Sequence, residues 1–131
     1  MNLDSQGDGI DCSSQNGEME AKMIHTTIRM MMPPGKRNEA LGILNVVAER
    51  AGVEPGCFFN RVYQDVKDEN ILMVEELWNS EEELNRHLCS DDYRNVLCLM
   101  ELSIEPPEFN FRSIAKTIGL EAIEKARNFG R

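Results

Sequence analysis

A few side chains at short spacings hold the chemical potential of this chain. Trp78 is the only tryptophan, and Glu76 stands two residues before it. On an extended strand that spacing puts both on one face, together with Val74 and Leu72. An indole can stack on a planar molecule and donate one hydrogen bond. A carboxylate in the same apolar setting must be paired, hydrated or raised in pKa, because a bare buried charge is costly. Glu76 is therefore a candidate base for taking a phenolic proton. His87 is of the type whose ordinary pKa suits proton transfer near neutrality. Asn60 offers both a donor and an acceptor to orient a substrate oxygen, and Tyr63 and Tyr93 can do the same. His25, Thr27 and Arg29 alternate along one strand face, where they can hold an anionic oxygen of a quinol or a carboxylate.

Each of these residues also has a structural reading. Trp78 suits a core or hinge aromatic, and Glu76 a salt bridge to Arg29 or Arg112. His87 suits a helix surface or a hydrogen-bonded structural position. His25 and Arg29 suit solvated strand positions or contacts between two copies.

Composition narrows the function classes. The chain has 131 residues, enough for one domain with a short appended element. A formal net charge of -9, with no basic stripe against it, disfavours nucleic acid and anionic membrane surfaces. No apolar run approaches the roughly 20 residues that span a bilayer, and a polar, acidic start is unlike a secretory signal. Four cysteines at 12, 57, 89 and 98 lack a close pair, and with two histidines they supply no well-spaced metal set. They read as reduced thiols of a cytoplasmic protein. Aromatics are scarce at 6%, so eight methionines must fill the core or line an adaptable pocket. The glycines make no GxGxxG loop, so no flavin or nicotinamide fingerprint is present.

The elements that must position these residues follow from periodicity. Residues 1–22 are polar and read as a flexible leader. Residues 24–32 alternate as a strand and end at Pro33-Pro34-Gly35. Residues 36–51 carry a helical stripe of Ala40, Leu44, Val47 and Ala51, with Gly52 at the C-cap position. Two extended segments, 57–66 and 71–78, flank the polar residues 67–70 as a hairpin. Ser80 and Glu83 form a capping-box pair at a helix start, and a second helical stretch runs from about Ser90 to Leu102. Residues 108–114 alternate as a last strand, and 116–129 form a closing helix. The order β-α-β-β-α-α-β-α contains the split βαβ plan of an α+β, ferredoxin-like fold. Helices cover one face of a four-stranded antiparallel sheet. The other face is left for a partner, most economically a second copy of the chain.

The segments EPGCFFNRVY, VEELW and NSEEELNRHLCSDDYRNV, within residues 23–112, resemble the antibiotic biosynthesis monooxygenase domain family. The resemblance implies a dimeric α/β barrel, formed by a homodimer through sheet faces, over residues 23–115. Residues 116–131 are then a C-terminal helical extension. It implies that Trp78 lines a cavity between sheet and helices, and that His87 occupies a position where the family often has a histidine. The implied activity is cofactor-independent monooxygenation of a small aromatic or quinol-like substrate, with no metal. Trp78, His87 and Glu76 would be catalytic, and Asn60, Thr27, Arg29, His25 and Tyr93 would bind substrate.

Two other functions remain open on the sequence. One is a non-enzymatic small-molecule-binding or regulatory dimer, whose partner is a hydrophobic or aromatic small molecule. The other is the family's haem-degrading branch, which uses a first-strand asparagine and an axial histidine further along the helix. Here Thr27 stands near the first position, and residues 91–100 contain no histidine.

Overall fold

The structure, a computed structural model, describes residues 22–128. The expected leader, apart from Lys22, lies outside the described residues. The strands are β1 (Met23–Met31), β2 (Cys57–Gln64), β3 (Ile71–Trp78) and β4 (Glu108–Ile114). The helices are α1 (Arg37–Ala51), α2 (Glu81–Leu88), α3 (Asp91–Leu102) and α4 (Glu121–Asn128). The strands form one antiparallel sheet in the order β2-β3-β1-β4, so the ferredoxin-like α+β expectation holds.

Strict alternation along β1 and β3 divides the sheet. Ile24, Thr26, Ile28 and Met30 of β1 are buried, as are Leu72, Val74, Glu76 and Trp78 of β3. The pairing Thr26↔Glu76 and Ile28↔Val74 sets these two rows side by side. Helix α1 lays Ala40, Leu44, Val47 and Ala51 on the same core, the stripe that its spacing predicts. Met30, Met32 and Met100 are core residues, so part of the methionine stock replaces missing aromatic bulk. His25, Thr27 and Arg29 lie on the opposite face with Met73, Glu75 and Leu77.

Local signals explain the boundaries. Gly35 turns the chain after β1 at a φ of 86°, a conformation that glycine adopts without steric cost. In the hairpin, the Asp65 carboxylate accepts the N–H groups of Lys67 (2.9 Å) and Asp68 (2.9 Å). Ser80 caps α2 by accepting the Glu83 N–H at 3.3 Å, and its hydroxyl donates to Glu83 Oε1 at 3.0 Å. The carboxylate thus closes on the serine hydroxyl rather than on the cap's backbone amide. Helix α4 starts five residues later than its apolar spacing suggests. Gly119 interrupts the expected helix, and its N–H donates to Glu121 Oε1 at 3.0 Å, ahead of the first turn.

Cys57 and Cys98 are free thiols, whereas Cys89 is disulfide-bonded. The expectation of four reduced cysteines therefore fails at position 89. Among the described residues, no helix is long and apolar enough to cross a membrane.

Candidate active site

The covered face of the sheet carries a polar cluster inside an apolar core. Glu76 lies at the middle of three strands, opposite Thr26 on β1 and Asn60 on β2. Strand pleating aims Glu76 and Trp78 to the same side, and the Trp78 Nε1–H donates to Glu76 Oε1 at 2.7 Å. His87, in the last turn of α2, is lowered onto this pair. Its ring stacks on the indole with centroids 4.9 Å apart and planes 30° apart. Tyr93, in the first turn of α3, meets the imidazole edge-on at 5.3 Å. Ser90 joins the two helices here, donating to the His87 carbonyl at 2.6 Å and accepting the Tyr93 N–H at 3.3 Å.

Glu76 and His87 are each 1% exposed, and Trp78 is fully buried. Burial pushes the Glu76 carboxyl above its ordinary range, and the Glu54 charge pushes the same way. The imidazole and the indole N–H act against that rise without cancelling it. Burial likewise drives the Tyr93 phenol well above its usual value, with Glu76 adding to the effect. Cys57, the strand partner of Trp78, is raised to about 11, first by burial and then by Glu76 and Glu54. Its thiol stays protonated and is a poor nucleophile.

The cluster holds polar atoms that the protein itself does not satisfy. Both amide atoms of Asn60, the Tyr93 hydroxyl and His87 Nε2 are buried without a hydrogen-bond partner. His87 Nε2 lies 3.4 Å from Glu76 Oε1, within ion-pair reach but not aligned for a hydrogen bond. Leaving such groups unpaired costs roughly 1–3 kcal/mol each. A site that keeps them is suited to a ligand bearing both donors and acceptors.

The predicted set divides between the two faces. Glu76, Trp78, His87, Tyr93 and Asn60 share the covered side. His25, Thr27 and Arg29 stand on the open face, where His25 Nε2 meets Glu75 Oε2 at 2.8 Å and Arg29 pairs with Glu108 at 3.2 Å. The Tyr63 hydroxyl also belongs to the open face and donates to Glu75 Oε1 at 2.8 Å. The salt-bridge alternative for Glu76 is thereby removed, since Arg29 is engaged elsewhere and both it and Arg112 face away. Glu54 is the residue that sequence reasoning missed. It lies in the loop between α1 and β2 and places Oε1 3.3 Å from His87 Nδ1. Its position next to Pro55-Gly56 was a signal of a tight turn but not of chemistry.

The family's sequence profile matches residues 23–97, more than half of the chain. The chain belongs to the antibiotic biosynthesis monooxygenase family. Solved structures agree with this assignment. A conserved protein from Methanosarcina mazei Go1 is 26% identical, with a TM-score of 0.65 over 71% of this chain and 93% of that one. A protein from Chloroflexus aurantiacus J-10-fl that carries the family name is also 26% identical, with a TM-score of 0.59 over 74% and 97%. A further antibiotic biosynthesis monooxygenase shares the fold at 16% identity, with a TM-score of 0.64 over 71% and 99%. Among curated proteins none matches significantly.

The residues do not fit the haem-degrading branch of this family. Both ring nitrogens of His87 face carboxylates inside the protein, so this imidazole is not presented as an axial ligand. Among the described residues, no group of three or more acidic, histidine or cysteine side chains is arranged to hold a metal ion.

Proposed function

We propose that this protein is a cofactor-independent monooxygenase acting on a small aromatic or quinol-like substrate, and that it works as a homodimer. One observation carries the reading. A buried carboxylate with a raised pKa is bonded to an indole and flanked by an imidazole, and unpaired polar atoms of Asn60 and Tyr93 belong to the same cluster. Raising the carboxyl brings its basicity closer to that of a phenolate, which favours its use as a base for a phenolic proton. The indole offers a flat apolar surface, and the Asn60 amide offers a donor and an acceptor for the substrate's oxygens.

The chemistry follows from that arrangement. Glu76 takes the phenolic proton, and the electron-rich anion passes one electron to dioxygen. The radical pair combines to form a C–O bond, and the proton returns to the outer peroxide oxygen. Loss of the ring C–H proton with hydroxide, as water, leaves a quinone carbonyl. Dioxygen is the oxidant, with one oxygen atom in the product and one in water. The protein contributes position and a dry, preorganised electrostatic setting.

Pairing through the open face is supported by its composition. Phe59, Tyr63, Met73 and Leu77 share it with the His25–Glu75 pair, and no helix among the described residues covers it.

The test is dioxygen uptake by purified, metal-stripped protein with a panel of quinols and anthrone-like phenols, beside Trp78→Phe and His87→Ala. Saturable uptake that falls in either variant is the expected result. Uptake no faster than autoxidation across the panel overturns the enzyme reading and leaves a dimer that binds an aromatic small molecule without turnover.

A further inference from the structure

We propose that Glu54, His87 and Glu76 form a proton relay that connects the buried Glu76 to solvent through the loop between α1 and β2. Three observations support it. First, the imidazole lies between two carboxylates, with Nδ1 hydrogen-bonded to Glu54 Oε1 at 3.3 Å and Nε2 3.4 Å from Glu76 Oε1. The inner transfer therefore requires a small rotation that aligns the Glu76 O–H with Nε2. Second, only the outer end of the line reaches solvent: the side chains of Glu76 and His87 are 2% and 0% exposed, and that of Glu54 is 29% exposed. Glu54 is the outlet. Third, the loop is pinned where the relay needs it. The Glu54 N–H donates to the Ala51 carbonyl at 2.9 Å, the Cys57 N–H donates to the Glu54 carbonyl at 3.2 Å, and the Asn79 N–H donates to the Gly56 carbonyl at 2.7 Å.

Proton bookkeeping closes along this line. With its proton on Nδ1, the imidazole donates toward Glu54 and turns the Nε2 lone pair toward Glu76. The O–H bond of protonated Glu76 breaks as an N–H bond forms at Nε2. The N–H bond at Nδ1 breaks as an O–H bond forms on Glu54, which releases the proton to water. The ring is left as the other tautomer, ready for transfer in the reverse direction. Among the described residues, the remaining titratable groups facing His87 and Glu76 are Tyr93 from α3 and Cys57 from β2. Both are held protonated by burial, so neither competes for the proton.

A buried base with a raised pKa must lose its own proton before it can take one from the substrate, and a substrate over the cluster would block direct exchange with water. The relay therefore takes its purpose from the monooxygenase reading, but the path can be tested without substrate. Trp78 is the only tryptophan and bonds to Glu76, so its fluorescence reports the protonation of that carboxyl. Glu54 and His87 act here through Glu76, as positioning residues for its proton.

The experiment is a microsecond temperature jump in a buffer whose pKa moves with temperature, following Trp78 emission near the Glu76 midpoint. Wild type is expected to relax in one phase that Glu76→Gln abolishes. Glu54→Gln and His87→Gln are expected to slow it about tenfold or more. Glu49→Gln, an exposed site on α1, should leave the rate unchanged. A phase that persists in Glu76→Gln, or a Glu54→Gln rate within about twofold of wild type, overturns the relay. If His87→Gln does not fold, Glu54→Gln alone decides, since that side chain is partly solvated. A slowed relaxation with no dioxygen uptake would retain the relay and reject the enzyme reading. Uptake with an unslowed relaxation would do the reverse.

Discussion

The Trp78 indole donates to Glu76 at 2.7 Å from two residues further along the same strand. Regular pleating alone brings the two together, with no loop or helix needed to close the contact. Glu76 is the only buried carboxylate among the described residues, and this bond favours its charged form. Trp78→Phe keeps an aromatic ring but removes the donor. We expect the Glu76 pKa to rise further, read by carbon NMR of the labelled carboxyl. Urea unfolding at neutral pH should show a loss of about 1–3 kcal/mol.

The pH dependence of stability includes carboxylate contributions of opposite sign, of which Glu76 and Glu75 are the two on the strand that carries the site. Glu76 has a folded pKa above its ordinary value of 4.5. The unfolded chain therefore gives up this proton first, and stability falls as pH rises from about 4.5 through the folded pKa. Glu75 has a folded pKa below 4.5, held there first by His25 and then by Tyr63. Its contribution is present above 4.5 and is lost as pH falls through the folded value. Glu76→Gln should remove the first slope, leaving a variant more stable than wild type at neutral pH by about 1 kcal/mol or more. Chemical denaturation from about pH 2 to about pH 8 checks both slopes.

Tyr93→Phe separates folding from function. The hydroxyl is buried and unpaired, so its removal should leave stability unchanged or raise it by up to about 1 kcal/mol. Substrate affinity should fall, because the hydroxyl is lost as a partner for the ligand. Thermal unfolding beside the KM for dioxygen uptake tests the pair of outcomes.

Gly56→Ala should destabilise the protein by roughly 1–2 kcal/mol. The residue has a φ of 86°, and a Cβ there would collide with the Glu83 carboxyl group. The same change should displace Glu54, two residues away, and slow proton exchange at Glu76. Calorimetry and the relaxation rate report the two effects.

Met73→Glu places a charge on the open face between the row of β1 and that of β2. Sedimentation should show the variant shifted from dimer to monomer, and a variant that stays dimeric would place the subunit contact elsewhere.

Much of this fold is legible in the sequence because its β1 and β3 rows alternate without a break. A period of two assigns Leu72, Val74, Glu76 and Trp78 to one side with no knowledge of their neighbours. The helix stripe through Ala40, Leu44, Val47 and Ala51 is equally plain. Alternation also separates His25, Thr27 and Arg29 from Ile24, Thr26 and Ile28. It does not reveal which of these rows adjoins Glu76, since that depends on the pairing Thr26↔Glu76, a long-range register. Glu54 was hidden for another reason. A loop residue has no period, and its link to His87 spans 33 positions.

The suppressed acidity of Cys57 bears on how long such an enzyme would last. Quinones alkylate thiolates, and activated oxygen converts them to sulfenic acids. A cysteine next to Trp78 would be the first casualty of a site that generates both. Held at about 11, it offers almost no thiolate at neutral pH. The same desolvation that primes Glu76 as a base would thus shield the cluster from poisoning by its own product.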